Sequence, residues 1–383
     1  MPDPSVPTNH EAREHPGPDK LRALARLAVE GEPTRSEPLR VGLIHESHVV
    51  TCRTPRGPRR YLLQRLNTVV FAAPGPVMEN VLRVTRHLQG RQAAAGVPDP
   101  GRRVLTVVPS REGPPWHVDD AGGWWRAYVF IEGATSFDRP PTPAAAERAA
   151  AAFGRFVAEL ADLPGPRLHE TLPGFHDTPA RYRALRAAAE ADPLGRAAAV
   201  RAELAALEAR REMLGALHEA AARGLVPERV VHNDTKLNNV LFDIGTGEAL
   251  CVVDLDTVMP GLALHDYGDL VRSAASEAPE DARDLRAVRV SPALHRAVTR
   301  GWLAPLAPLL TTAEAELLPL APRVVTLELA ARFLTDHLLG DRYFRTGYPG
   351  HNLDRCRAQL ALAADMERQE GTLAASVREA LGG

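Results

Sequence analysis

The sequence predicts an α+β fold with two lobes, a small β-rich N-terminal lobe and a larger helical C-terminal lobe. At roughly 100–200 residues per domain, the 383 residues allow two lobes with a core in each. Strand-like segments with turn signals are concentrated before residue 133, and long segments of helical periodicity dominate after it. We therefore expect a disordered tail at 1–18, an N-terminal lobe at 19–133 and a C-terminal lobe at 134–383.

Composition excludes several classes of protein. A net charge of −2 gives no indication of a nucleic-acid partner. Three widely spaced cysteines form neither a disulfide framework nor a zinc pattern, which favours a reducing compartment. No segment approaches the roughly 18 apolar residues of a membrane helix, and the polar, Pro-rich N-terminus has no apolar signal-peptide region. These features predict a cytoplasmic protein without a membrane or nucleic-acid partner.

The N-terminal lobe begins with a helix, a hairpin and a strand. Apolar periodicity over 19–30 predicts a helix that ends at Gly31. A loop containing two prolines then leads to a hairpin over 39–52, and a strand follows at 61–66. Periodicity resumes at 77–89, which predicts a second helix.

A cation ends the strand of this lobe, and the helix after it carries a glutamate. Arg65 and Glu79 occupy these positions. In kinase-type phosphoryl transfer a strand cation binds the α- and β-phosphates of ATP, and a helix glutamate holds that cation. Arginine offers a planar fork to phosphate, although it is not interchangeable with the usual lysine. The alternative is that both are solvated surface charges. Gly42 is either a turn residue or part of a loop that covers the phosphates.

A buried strand leads to the expected junction between the lobes. Residues 103–108 predict one strand, and the apolar, aromatic segment 125–131 predicts another. The second ends at a Glu-Gly pair, where the backbone of a two-lobed nucleotide-binding fold contacts the adenine edge. A core strand that ends at a glycine turn is equally consistent. The candidate adenine contacts are Phe130, Ile131, Glu132 and Gly133.

Helices account for most of the C-terminal lobe before its polar loop. Residues 142–163 predict a long helix with Pro143 at its first position. Residues 181–224 predict further helix, broken around 192–193 by an Asp-Pro pair and bearing Arg/Glu pairs typical of a solvated face.

The loop after the strand at 230–231 carries the residue types of phosphoryl transfer. Asp234 accepts or orients the proton of the attacking hydroxyl, and Lys236 supplies a point charge to the phosphoryl oxygens. Asn239, five residues after the aspartate, offers an amide oxygen to Mg²⁺. His232 is expected to be a scaffold residue that hydrogen-bonds this loop. Together with the N-terminal lobe, this predicts a two-lobed protein-kinase-like fold that uses ATP and Mg²⁺. The lobe at 19–133 would bind the nucleotide, and the lobe at 134–383 would carry catalysis and acceptor binding.

A hairpin should bring the metal ligands together. Residues 239–243 and 249–254 predict its two strands, so that Asn239 and Asp254 meet at the open end. Asp256 follows two residues later and would face the same side in an extended chain, as a further metal ligand. Asp269 is expected to accept backbone N–H groups of the loop and to open a helix.

Longer motifs carry a resemblance to a known family. The chain resembles the aminoglycoside phosphotransferase/choline kinase superfamily and, more narrowly, looks like the N-acetylhexosamine 1-kinases, over roughly residues 38–368. The segments that carry the resemblance are YLLQRLN at 61–67, MENVLRVTRHL at 78–88, LHETLPGFHDTP at 168–179, HNDTKLNNVLFD at 232–243, VVDLDTVMPG at 252–261, TLELAARFLTDHLLGDRYF at 326–344 and HNLDRCR at 351–357.

The resemblance implies ATP-dependent phosphorylation of the anomeric hydroxyl of a hexosamine, with Asp234 as the base and Asn239 and Asp254 at the metal. His45 stands where the family has a sugar-contacting asparagine, so the hydrogen-bond donors and acceptors at this position differ. The acceptor contacts that the resemblance implies are Ile44, His45, Leu327, Arg332 and Tyr343. Without the resemblance, Arg332 on its apolar helix could equally form a buried ion pair with Glu328, four residues earlier.

Two other functions are compatible with the sequence. One is a kinase for an antibiotic such as an aminoglycoside, or for an amino alcohol. The other is a nucleotide-binding scaffold without catalysis, against which the complete set of loop residues argues. A cationic aminoglycoside would favour an acidic acceptor site, whereas the C-terminal motifs carry the arginines Arg332, Arg345, Arg355 and Arg357.

Overall fold

The computed structural model describes residues 16–39 and 44–382. Gly42 and most of the expected tail therefore lie outside the described residues. The chain divides into two compact units, the first formed by the described part of Met1–Pro74 with Leu105–Glu132, the second by Gly75–Val104 with the described part of Gly133–Gly383. The lobe boundary expected after residue 133 lies one residue beyond the division after Glu132. The division also places Gly75–Val104 in the second unit, whereas these residues were expected in the N-terminal lobe.

Strands are concentrated in the first unit and helices in the second, so the predicted α+β class is confirmed. Among the described residues, the strands are β1 (Glu32–Pro38), β2 (Glu46–Thr54), β3 (Gly57–Arg65), β4 (His117–Val118), β5 (Trp124–Val129), β6 (Ala134–Thr135), β7 (Arg229–Val231), β8 (Val240–Asp243), β9 (Ala249–Val252) and β10 (Met259–Gly261). The α-helices are α1 (Pro18–Arg26), α2 (Pro74–Ala94), α3 (Pro143–Glu159), α4 (Thr178–Ala191), α5 (Arg201–Glu208), α6 (Arg211–Ala222), α7 (Ala263–Ala274), α8 (Pro292–Leu306), α9 (Thr312–Leu317), α10 (Ala321–Leu339), α11 (His351–Arg368) and α12 (Glu370–Ala380).

The first unit is built on an antiparallel sheet with the strand order β1-β2-β3-β5-β4. Part of the hairpin expected over 39–52 lies outside the described residues, whereas β1 forms where a proline-containing loop was expected and pairs with β2. The prediction was wrong because Pro33 and Pro38 suggested a loop, whereas β1 is an edge strand, where a missing N–H group costs no ladder hydrogen bond. Alternate residues of β2, β3 and β5 pack with α1 in the core of this unit.

Two other expectations for this unit need correction. The first helix ends at Arg26, because Leu27 leaves it to pair with Ser110 in an isolated bridge. The segment 103–108 is not a regular strand. It runs beside β5 with a few backbone hydrogen bonds, including one of 2.8 Å from the Val108 N–H to the Ala127 carbonyl oxygen.

The second unit contains closely packed helices. At the contact between α3 and α8, a Cβ atom at Gly154 or at Gly301 would collide with a backbone carbonyl oxygen of the opposite helix. Gly268 of α7 approaches the backbone of α10 in the same way. Nearly all residues of α10 are buried, so this helix lies inside the core and not on its surface. These contacts fix the position of α7, which supports the polar loop.

Two further findings concern the cellular environment. No helix within the described residues has both the length and the apolar content needed to cross a membrane. The three cysteines, Cys52, Cys251 and Cys356, are all buried in their thiol form. A cytoplasmic location stays a prediction.

Candidate active site

The loop between β7 and β8 is held by a buried carboxylate of α7. Asp266 accepts the backbone N–H groups of His232 and Asn233 at 2.8 and 2.7 Å. The Thr235 hydroxyl donates to the Asp266 carbonyl oxygen at 2.6 Å. Burial raises the pKa of Asp266 to about 6. The prediction that Asp269 supports the loop was wrong, because its carboxylate lies three residues further along α7 and accepts from Arg272 at 2.8 Å instead.

His232 joins this loop to the end of β9. Its ring is fully buried and makes edge contacts with Phe153 and Phe156. Nε2 donates to the Val253 carbonyl oxygen at 2.9 Å, and Nδ1 accepts the Asp234 N–H at 3.3 Å. Both ring nitrogens therefore have a hydrogen-bond partner in the backbone. These contacts agree with the expected scaffold role.

The predicted base, cation and amide converge on one another. Lys236 Nζ lies 2.8 Å from Asp234 Oδ1. Asn239 Nδ2 donates to the Asp234 backbone carbonyl at 2.8 Å and to Asp234 Oδ2 at 3.1 Å. Burial opposes ionisation of Asp234, but the Lys236 ammonium outweighs it and lowers the pKa of this carboxyl. Asp234 in turn raises the pKa of Lys236. At neutral pH the pair is therefore a carboxylate and an ammonium, with the carboxylate able to accept a proton or a hydrogen bond.

The β8–β9 hairpin brings its two ends together as predicted. Val240 pairs with Val252, and the Val253 N–H donates to the Asn239 carbonyl oxygen at 2.9 Å. The next residue, Asp254, has a left-handed backbone with φ 61° and an exposed side chain.

The expectation that Asp254 and Asp256 face the same side was wrong. Residues 255–257 form a turn of 3-10 helix rather than extended chain. As a result Asp256 is only 1% exposed, whereas Asp254 is open to solvent. An exposed carboxylate suits a metal bound to substrate phosphates better than a buried one.

The donor set fits a magnesium ion. Because the amide nitrogen of Asn239 faces Asp234, its amide oxygen is the atom that remains for a cation. Mg²⁺ takes oxygen ligands and is commonly bound by one or two carboxylates plus substrate phosphates. Asn239 and Asp254 supply such a set. Within the described residues there is no group of three or more His, Cys, Asp or Glu side chains that could hold a metal ion without further ligands.

The predicted phosphate cation and its glutamate each have another partner within their own unit. Arg65, at the end of β3, lies 3.9 Å from Asp119, and its guanidinium carbon lies 5.7 Å from the centre of the Trp125 ring. Glu79 of α2 forms a 2.7 Å contact with Nε2 of His169. The expected pairing of Arg65 with Glu79 stays a prediction.

The predicted adenine contacts follow the end of β5. Ile131 is buried, and Phe130 is half-buried beneath the guanidinium of Arg60 at 4.2 Å from the ring centre. Glu132 is exposed and forms an ion pair with the same arginine. Gly133 has φ 63°, a backbone conformation that glycine adopts without strain.

The expected acceptor contacts of the first unit are tied to the segment after β3. His45 Nδ1 accepts the Asn67 N–H at 3.0 Å, and the His45 ring lies 5.5 Å from that of Phe71. The Asn67 side chain donates to the Ile44 carbonyl oxygen at 3.2 Å. The Ile44 side chain is 41% exposed, so it is open to a ligand.

Arg332 lies among aromatic rings. Its guanidinium carbon is 5.0 to 5.8 Å from the ring centres of Phe175, Tyr343 and Phe344. Tyr343 is 57% exposed and is available to a ligand. Leu327, by contrast, is fully buried among apolar side chains of α4 and α10, which argues against the acceptor contact that was expected for it.

A buried pair that was not predicted connects this arginine with the polar loop. His176 Nδ1 lies 3.0 Å from Glu328, and its Nε2 lies 3.3 Å from the Asn233 carbonyl oxygen. Arg332 is 4.0 Å from the same glutamate. The histidine fitted no metal-ligand pattern in the sequence. The signal that could have identified the pair is a glutamate on an otherwise apolar helix, which requires a buried partner.

The fold and the loop define a class of protein, namely a kinase-like phosphotransferase. Residues 44–306 match the model of the phosphotransferase enzyme family APH, and the chain belongs to this family. This family membership confirms the superfamily that the sequence resembles.

Solved structures share the fold at low sequence identity. The chain is similar to an aminoglycoside phosphotransferase from Alicyclobacillus acidocaldarius, with a TM-score of 0.59, 15% identity, and coverage of 98% of this chain and 99% of that one. A spectinomycin phosphotransferase in complex with ADP and spectinomycin has a TM-score of 0.53, 9% identity and coverage of 89% and 94%. A choline kinase from Cryptosporidium parvum has a TM-score of 0.52, 13% identity and coverage of 91% and 93%.

Proposed function

We propose that this protein is an ATP-dependent kinase that phosphorylates the anomeric hydroxyl of an N-acetylhexosamine or a related sugar, giving a sugar 1-phosphate. The observation that carries the phosphotransferase part is the convergence of Asp234, Lys236 and Asn239, with contacts of 2.8 to 3.1 Å, in a member of the phosphotransferase enzyme family.

Each loop residue has a step in the reaction. The acceptor oxygen forms a bond to the γ-phosphorus of ATP, the bond to the ADP oxygen breaks, and the hydroxyl proton passes to Asp234. A loose transition state requires little base strength, so the lowered pKa of Asp234 is compatible with this role. Lys236 neutralises charge on the transferred group. Asn239 and Asp254 would hold Mg²⁺, which neutralises phosphate charge when bound.

Nucleotide binding is proposed for four residues of the first unit, and the role of Glu79 stays a prediction. Arg65 would contact the α- and β-phosphates as a planar donor fork. The backbone at Phe130, Ile131 and Glu132 would hydrogen-bond the adenine edge. Asp256 is buried, and we assign it to support of the turn after β9 in preference to metal binding.

The charges near the loop support the proposed acceptor class. Arg332 is linked through Glu328 and His176 to Asn233, the residue before Asp234. Arg181 donates to the backbone of residues 174 and 175, beside the same aromatic rings. Two guanidinium groups disfavour a polycationic acceptor, and the aromatic rings suit the apolar face of a sugar. We therefore favour a neutral sugar over an aminoglycoside or an amino alcohol.

Acceptor-dependent release of ADP over a panel of hexoses, N-acetylhexosamines, amino alcohols and aminoglycosides tests this function. We expect turnover with one sugar class and a product whose phosphate is on the anomeric carbon, identified by phosphorus NMR. Turnover with choline or an aminoglycoside alone would contradict the sugar assignment. ATP binding without turnover on any acceptor would favour a non-catalytic scaffold.

A further inference from the structure

A cavity of about 280 Å³ lies in the second unit and is not lined by the loop residues of the candidate active site. Its walls come from α2, α3 and β9 and from the segment that follows α2. Apolar side chains, among them Leu88, Phe156 and Leu250, form a large part of the lining. The volume is just below the range of roughly 300–1,000 Å³ that is typical of small-molecule sites.

Two arginines line the same cavity. Arg103 donates to the Ala249 carbonyl oxygen at 3.3 Å and so has one partner. Arg155 of α3 forms no hydrogen bond or ion pair within the described part of the chain. Burial lowers the pKa of Arg155, and the neighbouring Arg103 guanidinium lowers it further. Arg155 is exposed to solvent, and its guanidinium lines the cavity together with that of Arg103, so an anion between the two would be stabilised by charge-assisted hydrogen bonds.

Two nearby carboxylates, Glu159 and Glu248, attract the Arg155 guanidinium and oppose the lowering of its pKa, but neither forms an ion pair with it. Glu159 follows Arg155 by one helical turn, yet no contact of 4.0 Å or less joins the two side chains. The Glu159 carboxylate instead faces the amide of Gln92 at 3.4 and 3.5 Å. Two guanidinium groups and one carboxylate leave the lining with a net positive charge.

We propose that this cavity binds a small organic anion, with one carboxylate or phosphate group on an apolar body. The anionic group lies against Arg155 and Arg103. The body packs on Leu88, Phe156 and Leu250. Val252 and Leu255 also line the cavity and flank Asp254 in the sequence, so the ligand contacts the segment that carries the proposed metal ligand. Binding requires neither ATP nor an acceptor, so the proposal stands or falls independently of the kinase function.

Isothermal titration of the full chain with cinnamate tests the proposal, because cinnamate joins a carboxylate to a planar apolar body. We expect saturable binding of one cinnamate per chain, at least ~10-fold tighter than the neutral analogue cinnamamide, as a charge-assisted hydrogen bond predicts. A second titration, with phenyl phosphate, shows whether the cavity prefers a phosphate or a carboxylate group. The affinity for cinnamate should be unchanged in saturating MgADP.

Single substitutions test whether the charges that line the cavity determine cinnamate binding. Arg155→Gln should weaken cinnamate binding at least ~10-fold, and Glu159→Gln should strengthen it. Arg148→Gln is the matched control, because this arginine is on the same helix, pairs with Glu248 at 3.2 Å and does not line the cavity. Glu159→Gln keeps the test decisive if Arg155→Gln fails to fold. No saturable binding of either anion, equal weakening in Arg148→Gln, or displacement by MgADP would overturn the proposal.

Discussion

Replacing His232 with phenylalanine removes the connection between the catalytic loop and the end of β9 while keeping an aromatic ring. The edge contacts with neighbouring rings remain possible, but the 2.9 Å hydrogen bond to the Val253 carbonyl oxygen is lost. A buried polar group left without a partner costs ~1–3 kcal/mol. The 3.3 Å bond from the Asp234 N–H is longer and contributes less. We therefore expect the free energy of unfolding to fall by about 2–3 kcal/mol.

Activity should fall as well, because His232 holds Asp234 in register with Asp254. A displacement of about 1 Å in a catalytic group reduces kcat by ~100-fold. Denaturant unfolding and acceptor-dependent ADP release measure the two effects. His295→Phe is the control, because this buried histidine contacts Tyr267 at 3.4 Å and has no contact with the loop. A similar loss of kcat in both variants, or unchanged stability in His232→Phe, would refute the scaffold role.

Three further predictions concern other parts of the chain. Arg65→Ala should raise the KM for ATP with little change in kcat, and an unchanged KM would exclude it as the phosphate cation. Gly301→Ala should destabilise the protein by ~1–3 kcal/mol, because the added methyl group meets a backbone carbonyl oxygen of α3, whereas Gly90→Ala, at a helix position with open space, should stabilise it by ~0.5–1 kcal/mol in urea unfolding. Burial opposes ionisation of Glu328, but His176 outweighs it and lowers the pKa of this carboxyl. The ionised Glu328 therefore stabilises the folded protein fully above about pH 4.3, the pKa of a glutamate in the unfolded chain. This stabilisation is lost as the pH falls through the lower pKa that Glu328 has in the folded protein. Between pH 5 and pH 2, a range that covers the unfolded pKa of about 4.3 and the folded pKa of about 2, wild type should lose more stability than Glu328→Gln, and equal losses would contradict the ion pair.

The loop and the hairpin after it could be predicted because their information is local. Asp234, Lys236 and Asn239 lie within six residues, and a two-stranded hairpin brings Asp254 back to them. The alternation of apolar and polar residues was enough to identify β2, β3, β8 and β9. Short-range patterns of this kind fix both the residue types and their approximate positions.

Contacts between residues that are distant in the sequence could not be predicted, because they depend on how the helices pack. Asp266 and Asp269 are both plausible acceptors for the loop, and only the placement of α7 against it selects the first. His176 and Glu328 are 152 residues apart, so no local pattern pairs them. The left-handed backbone of Asp254 separates it from Asp256, although alternation predicts one face.

The central claim is that Asp234 accepts the acceptor's proton in phosphoryl transfer from ATP. The most direct test compares ADP release by wild type and Asp234→Asn on the best acceptor of the panel, with ATP affinity measured by calorimetry. We expect kcat to fall by ~10²–10⁴-fold, since proton transfer by a positioned group contributes that much, while ATP binding stays within a few-fold of wild type. Turnover near that of wild type in Asp234→Asn would contradict the account.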